Sequence, residues 1–147
     1  MADFDVIIIG SGLAGLTAGL FSARHGLSTV VMESNIPGGH LISIEKIEDF
    51  PGFPDGVSGY EICPNLQRQA SDYGAEFQRA EVLRLDAQEN FWSVVTEEET
   101  HRAKAVIVAT GSTLKHLGVP GEEKLTGRGV SHCASCDGPL YNGQTVG

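Results

Sequence analysis

The sequence predicts an α/β fold, a parallel sheet with helices on its faces, followed by the start of a second domain. Three observations predict it. A β-branched run, Asp5-Val6-Ile7-Ile8-Ile9, leads directly into Gly10-Ser11-Gly12-Leu13-Ala14-Gly15. A helical stretch and a second β-rich run follow, the latter ending in the acid Glu33. A third apolar run, from Lys104, ends in the small residues Ala109-Thr110-Gly111.

The first run has the look of a strand buried on both faces, as in a parallel sheet covered by helices. Leu16 through His25 read as a helix, with Leu13, Leu16, Leu20, Ala14 and Ala18 available for packing and Gly26 as its stop. Ser28 to Glu33 is the next strand. Strand, G-x-G-x-x-G, helix, strand, acid is a dinucleotide-binding fingerprint in the context it needs. Gly10 permits the tight turn, Gly12 lets backbone approach a pyrophosphate, and Gly15 and Gly19 let the helix lie near the strand. The helix N-terminus offers N–H groups and the positive end of its dipole to phosphate. Glu33 lies about twenty residues beyond the glycines, where an acid can accept from an adenosine ribose. An acid there repels a 2′-phosphate, so this site is expected to take FAD or NAD rather than NADP.

Asn35-Ile36-Pro37-Gly38-Gly39-His40 is a loop by its turn residues. It is either a connector or a place where backbone lies against a ligand. Glu48-Asp49-Phe50-Pro51-Gly52-Phe53-Pro54 is a second irregular stretch whose aromatics must pack somewhere. Ser58 can cap a helix to about Tyr73, closed by Gly74, although Pro64 argues for a regular start only at Cys63 or Pro64. Ala75 to Asp86 reads as one strand and Phe91 to Thr96 as another, with Glu97-Glu98-Glu99 a solvated hairpin tip. Lys104 to Gly111 reads as a buried strand. Leu117-Gly118-Val119-Pro120-Gly121-Glu122-Glu123 has the composition of a linker, and the domain junction is placed between residues 116 and 117.

The 147 residues suffice for one domain and the start of another. A formal net charge of −9 argues against a nucleic-acid partner, which normally meets a basic face. No stretch approaches the roughly 20 apolar residues of a membrane span. The first five residues carry acids where a signal peptide needs positive charge. A cytoplasmic location is therefore expected.

Near the C-terminal end stands Cys133-Ala134-Ser135-Cys136-Asp137-Gly138. Such a pair can close a disulfide, share a metal, or work as a redox dithiol. A zinc site needs two more ligands at workable spacing. His116, His132 and Asp137 are near in sequence but fit no recognised ligand pattern, so no metal is expected. In a reducing compartment a purely structural disulfide is unusual. A dithiol fits best, because the same chain carries a dinucleotide site. His132 directly precedes Cys133, and an imidazolium beside a thiol lowers its pKa. The remaining cysteine, Cys63, reads as a small apolar filler.

These residues resemble the low-molecular-weight thioredoxin reductases, FAD-dependent pyridine nucleotide-disulfide oxidoreductases, along the whole chain. Gly10 to Gly15 is similar to their flavin glycine loop, Gly38-Gly39-His40 to their Gly-Gly-Gln, and Glu48-Asp49-Phe50-Pro51-Gly52 to their Glu-Asn-Phe/Trp-Pro-Gly. Ala109-Thr110-Gly111 matches the end of their flavin-domain strand, and the cysteine stretch resembles their Cys-Ala-Thr-Cys-Asp-Gly. The flavoprotein subunit of alkyl hydroperoxide reductase shares most of these features.

The resemblance implies a Rossmann-like FAD-binding domain over residues 1–116, carrying a small antiparallel sheet. The start of an NADPH domain, with the cysteines, would occupy residues 117–147. It implies electron flow from NADPH through FAD to a Cys133–Cys136 disulfide, then to a thioredoxin-like protein. Cys136 would face the flavin, Cys133 would attack the partner, and Asp137 would donate a proton. Gly10, Ser11, Gly12, Leu13, Ala14, Gly15, Glu33, Gly38, Gly39, His40, Asp49, Val82, Ala109, Thr110 and Gly111 would hold the FAD. Family members are usually homodimers.

His40 stands for glutamine, Asp49 for asparagine and Leu140 for an aromatic residue. An anionic Asp49 near the ring would disfavour a reduced anionic flavin, and a shift of about 30 mV in its two-electron potential is worth ~1.4 kcal/mol. The family's second glycine fingerprint, which binds NADPH, and its returning C-terminal segment have no counterpart here. Other readings are a flavin-binding redox fragment without turnover and a flavin dithiol oxidase. The chain by itself is expected to show no NADPH-dependent disulfide reduction, and steady turnover in a thiol-release assay would overturn that expectation.

Overall fold

The computed structural model describes residues 3–113 and 115–147, excepting the side chains of Ser135, Cys136 and Pro139. They form two compact units, Met1–Gly111 and Ser112–Gly147. The break falls ahead of the 116/117 junction suggested by composition.

The first unit holds β1 (Phe4–Ile9), α1 (Leu13–Arg24), β2 (Thr29–Glu33), α2 (Gly59–Asp72), β3 (Glu76–Arg79), β4 (Val82–Ala87), β5 (Trp92–Thr96) and β6 (Thr100–Val108). The six strands form one sheet in the order β3-β2-β1-β6-β5-β4. β3, β2, β1 and β6 run parallel, with Ile7 opposite Val30 on one side and Val106 on the other. β5 is antiparallel to both β4 and β6. The fold is thus a Rossmann-like α/β fold. Its antiparallel part is continuous with the parallel sheet through β6, which pairs with β5 from Thr100 to Ala103 and with β1 from Ala103 to Val108.

Both faces of β1 are dry, as its unbroken apolar run requires. Ile7, with Val30 and Met32, packs against Val94 and Ala103, flanked by Val82 and Leu85 of the antiparallel strands. Val6, Ile8 and Val31 pack on the opposite face with Ala18 of α1. Ile7, Ile8 and Val31 expose no surface, and each such side chain contributes about 1.5–3 kcal/mol through burial. α1 and α2 meet through Leu20, Ala23 and Ala70.

α1 begins at Leu13, one turn earlier than expected, with Gly12 as its N-cap. Its end is a Schellman motif: Gly26 N–H donates to Ala23 O at 2.8 Å and Leu27 N–H to Ser22 O at 3.2 Å, with Gly26 at φ +77°. α2 starts at Gly59 and runs through Pro64, against the expectation of a late start. Pro64 lies on the exposed face and Tyr60, whose carbonyl loses its donor, is also exposed, so water can take the bond.

Two other expectations change. The strand expected over 75–86 is two strands, because the chain changes partner at Ala80-Glu81. β3 follows β2 until Ala80 N–H donates to Glu33 O at 3.0 Å, and β4 then pairs with β5. The strand expected as buried from Lys104 begins at Thr100, ends at Val108, and leaves Ile107 37% and Val108 62% exposed. Beyond Ala103 the strand pairs with β1 alone, and its apolar run is not covered on both faces.

The Pro/Gly-rich loop is closed at its base by Ile47 and Val57, which exchange backbone hydrogen bonds of 2.8 and 3.0 Å. Phe50 packs with Val57 and Ile62, and its ring lies 6.0 Å from that of Phe53. A groove of about 570 Å³ between this loop and α2 is lined by Phe50 and Phe53 but by none of the candidate catalytic or cofactor-binding residues.

A Cβ at position 15 would coincide with the carbonyl oxygen of Gly10. Gly15→Ala should therefore cost about 3 kcal/mol or more. Gly12→Ala, where added atoms meet open space, should cost no more than about 1 kcal/mol. Urea midpoints of the two variants check the contrast.

Candidate functional site

The glycine loop is made of residues that are glycine for different reasons. Gly10 has φ +97°, and a Cβ there would lie 2.8 Å from the carbonyl carbon of Ala109 and 3.0 Å from Thr110 Cα. Gly15 is required by Gly10 itself. A Cβ at Gly19 would lie 2.9 Å from Val31 Cγ2. Gly12 is different. Its φ of −64° suits any residue, and a Cβ there would meet nothing within 4 Å. Among the described residues no steric contact requires a glycine there, and the space at the N-terminus of α1 is open.

That N-terminus has no side-chain cap. Ser11, a residue type that caps well, is turned elsewhere. Its N–H and Oγ donate to Glu33 Oε2 at 2.9 and 2.8 Å, and it is fully buried. Glu33 Oε1 accepts from Asn35 N–H at 3.0 Å and Ser34 Oγ at 3.5 Å. Burial pulls the Glu33 carboxyl upward, but the hydrogen bonds from Asn35, Ser11 and Ser34 outweigh it and hold it below its ordinary range. Glu33 is therefore an oriented anion at the end of β2. A carboxylate has about four lone-pair sites, so it retains room to accept from a ligand hydroxyl.

Ser11 also accepts from Gly38 N–H at 2.8 Å. Gly38 and Gly39 have φ of +114° and +58°, and a Cβ on Gly39 would lie 3.4 Å from Gly12 Cα. The glycine pair therefore lies against the glycine loop. Beneath it sits Cys63, whose Cβ and Sγ would be 3.0 and 3.2 Å from a Cβ on Gly38. Cys63 is free, buried, and has its thiol pKa raised by that burial. Its role as a filler extends to supporting this loop, for which the sequence carries no signal.

A cleft of about 220 Å³ opens at the carboxyl ends of β1 and β2, lined by Gly10, Met32, Glu33, Ala80, Val82 and Thr110, among others. This is where ligands bind in open α/β sheets. Ala109 N–H donates to Ile9 O at 2.8 Å, and Gly111 follows at φ +68°. Gly10, Glu33, Val82 and Thr110 thus surround one crevice, and Gly12 and Gly39 lie against each other at the start of α1. Leu13 and Ala14 form the first turn of α1. His40 and Asp49 are both exposed, the former in the 3₁₀ turn Gly39–Ser43 and the latter in the 48–56 loop.

The second unit contains two short helices, α3 (Glu122–Leu125) and α4 (Ala134–Asp137). Cys133 is disulfide-bonded. The side chain of Cys136 lies outside the described residues. Cys133 exchanges hydrogen bonds of 3.1 Å with Ser131 Oγ through its N–H and its carbonyl, and that carbonyl accepts from Asp137 N–H at 3.0 Å. The ring of His132 packs edge-on to His116, centroids 5.4 Å apart, and its Nε2 is 3.9 Å from Glu122 Oε1. Glu122, assigned to a linker by composition, is only 4% exposed. Among the described residues no helix is long and apolar enough to cross a membrane.

The family model for pyridine nucleotide-disulphide oxidoreductases matches residues 4–145. A thioredoxin reductase of Streptomyces coelicolor is 46% identical over 97% of this chain and 45% of its own length. A bifunctional thioredoxin reductase/thioredoxin of Mycobacterium leprae is 43% identical over 97% of this chain and 31% of its own. The crystal structure of Lactococcus lactis thioredoxin reductase superimposes with a TM-score of 0.80 at 34% identity, covering 95% of this chain and 46% of that one. The chain spans about half the length of most of the curated relatives it matches.

Removing the Ser11 hydroxyl takes one charge-assisted bond from Glu33, so Ser11→Ala should lower stability by about 1.5–3 kcal/mol. The depressed carboxyl also sets a sign. Its contribution is fully present above the ordinary value of 4.5 and is lost as pH falls through the lower, folded value. Glu33→Gln should therefore flatten the acid limb of a stability–pH profile below that point, read from urea midpoints.

Proposed function

The chain belongs to the pyridine nucleotide-disulphide oxidoreductase family, and we propose that it is the FAD-binding part of a thioredoxin-disulfide reductase, carrying the redox-active cysteine pair. The observation that carries the reading is Gly12. Gly10, Gly15 and Gly19 are explained by contacts within the chain, whereas Gly12 leaves an uncapped helix N-terminus open to an outside group. An anionic diphosphate fits that place, because the first amides of a helix lack partners and the dipole favours negative charge.

Within this reading Gly10, Gly12, Leu13, Ala14 and Gly15 bring backbone to the diphosphate, and Ser11 serves by holding Glu33. Glu33 accepts from the adenosine ribose, and its charge selects FAD over a 2′-phosphorylated nucleotide. Val82 and Thr110 wall the adenosine side of the crevice, and Ala109 and Gly111 end β6 without bulk. Gly38, Gly39, His40 and Asp49 extend the site towards the ring. FAD, when bound, supplies a two-electron carrier between a nicotinamide donor, NADPH in the intact protein, and the cysteines.

The rest belongs to the chain's own residues. Two electrons and two protons convert a Cys133–Cys136 disulfide into two thiols. The Cys133 thiolate attacks one sulfur of a thioredoxin-like disulfide, forming a mixed disulfide and releasing one partner thiolate. Cys136 then attacks Cys133 Sγ, releasing the second partner thiolate and re-forming the intramolecular disulfide. Asp137 holds the proton that a departing thiolate takes. The existence of a relative fused to thioredoxin supports a partner of that kind.

Flavin titration of the full chain, followed by absorbance and fluorescence quenching, tests the reading. Gly12→Val should weaken FAD binding about 10–100-fold, the overpacking cost of ~1–3 kcal/mol expressed as affinity, while leaving the unfolding midpoint nearly unchanged. Equal FAD affinity in the variant would overturn it. In the intact reductase, Cys133→Ser should abolish thioredoxin reduction and preserve flavin reduction by NADPH.

A further inference from the structure

We propose that His116, Glu122 and His132 form a binding site for one divalent transition-metal ion, with Zn²⁺ its fitting occupant. The site is independent of the flavin reading. Its three donor atoms all lie within 4.8 Å of one another. His116 Nδ1 is 3.5 Å and His132 Nε2 3.9 Å from the same oxygen, Glu122 Oε1. The latter exceeds a hydrogen bond and the former is at its limit. His132 Nε2 is shielded from solvent and has no hydrogen-bond partner. Two imidazole nitrogens thus converge on one oxygen of a buried carboxylate, and His132 Nε2 is left without a hydrogen-bond partner there.

Glu122 is built to face them. Leu117 N–H donates to Oε1 at 3.0 Å and Gly118 N–H to Oε2 at 2.8 Å, which fixes the plane of the carboxylate. Backbone donors of this kind orient a ligating carboxylate while leaving lone pairs for an ion. Bonds of about 2.0–2.2 Å at tetrahedral angles set donor atoms roughly 3.3 Å apart. The His116–Glu122 separation of 3.5 Å is close to that spacing, and the His132–Glu122 separation of 3.9 Å must shorten by about half an ångström. The two histidines must approach each other further, and His116, whose side chain is 64% exposed, is free to rotate. Two neutral imidazoles and one carboxylate suit zinc, and three protein ligands leave a fourth position for water.

The ligands are six and ten positions apart, so no short motif announces them. An ion here would tie His132, the neighbour of Cys133, to the turn that precedes α3. The expectation that the chain holds no metal concerns ligands grouped with the cysteines. This site needs no sulfur.

The test is a Zn²⁺ titration of the metal-stripped, oxidised full chain against a chromophoric chelator, without reductant so that no Cys133 thiolate is offered. One ion per chain is expected. His116→Ala and His132→Ala should each weaken it by about 10–100-fold or more, at least the loss seen for outer ligand partners, and His25→Ala should not. Co²⁺ should give visible d–d bands that vanish in both variants. His116→Ala removes an exposed side chain, so it remains informative if His132→Ala fails to fold. Absence of stoichiometric binding, or binding that His116→Ala leaves unchanged, would overturn the proposal.

Discussion

The first unit depends on backbone meeting backbone where β1 ends, α1 begins and β6 ends. The carbonyl of Gly10 occupies the place of a Cβ on Gly15, and the carbonyl of Ala109 occupies that of a Cβ on Gly10. Any side chain at either position would push α1 away from the sheet or β6 away from β1. With both absent, α1 starts close to the carboxyl ends of the central strands, beside the crevice lined by Gly10, Met32, Glu33, Val82 and Thr110. The dry packing of Ile8, Val31 and Ala18 beneath α1 follows from the same close approach.

Ser11 turns that packing into a defined electrostatic arrangement. It spends its hydroxyl on Glu33 rather than on the helix end, and its carbonyl receives Gly38. The end of β2 and the loop that follows it are thereby joined to the glycine loop at one buried residue. The helix terminus is left electropositive and open, and the anion beside it is held at a distance by its own hydrogen bonds. An uncapped helix end and an oriented acid thus stand side by side, the acid fixed by Ser11, Ser34 and Asn35.

In the second unit the same economy appears around Glu122. A glutamate in a glycine- and proline-rich stretch would ordinarily be solvated. Here two backbone amides and two imidazoles surround it, and it organises the residues that precede Cys133. The disulfide-bonded Cys133 and His132 of the histidine pair are thus adjacent in sequence.

Much of this was determined by the sequence alone. The fingerprint from Val6 to Glu33 could be read because each feature is local: a β-branched run, glycines at fixed offsets, an apolar helix stripe and a terminal acid. Gly26 and the acidic hairpin tip were legible for the same reason. Where a contact joins distant residues, no periodicity records it. Only the tertiary structure decided that Ala75 to Asp86 is divided between two partners, that β6 is half open, that Pro64 sits harmlessly on the outer face of α2, and that Cys63 supports Gly38. It alone brought Glu122 between His116 and His132. Sequence carries the preference of each segment for a conformation, but the partner of each segment is chosen by which surfaces bury one another, and that choice exists only once the chain has closed on itself.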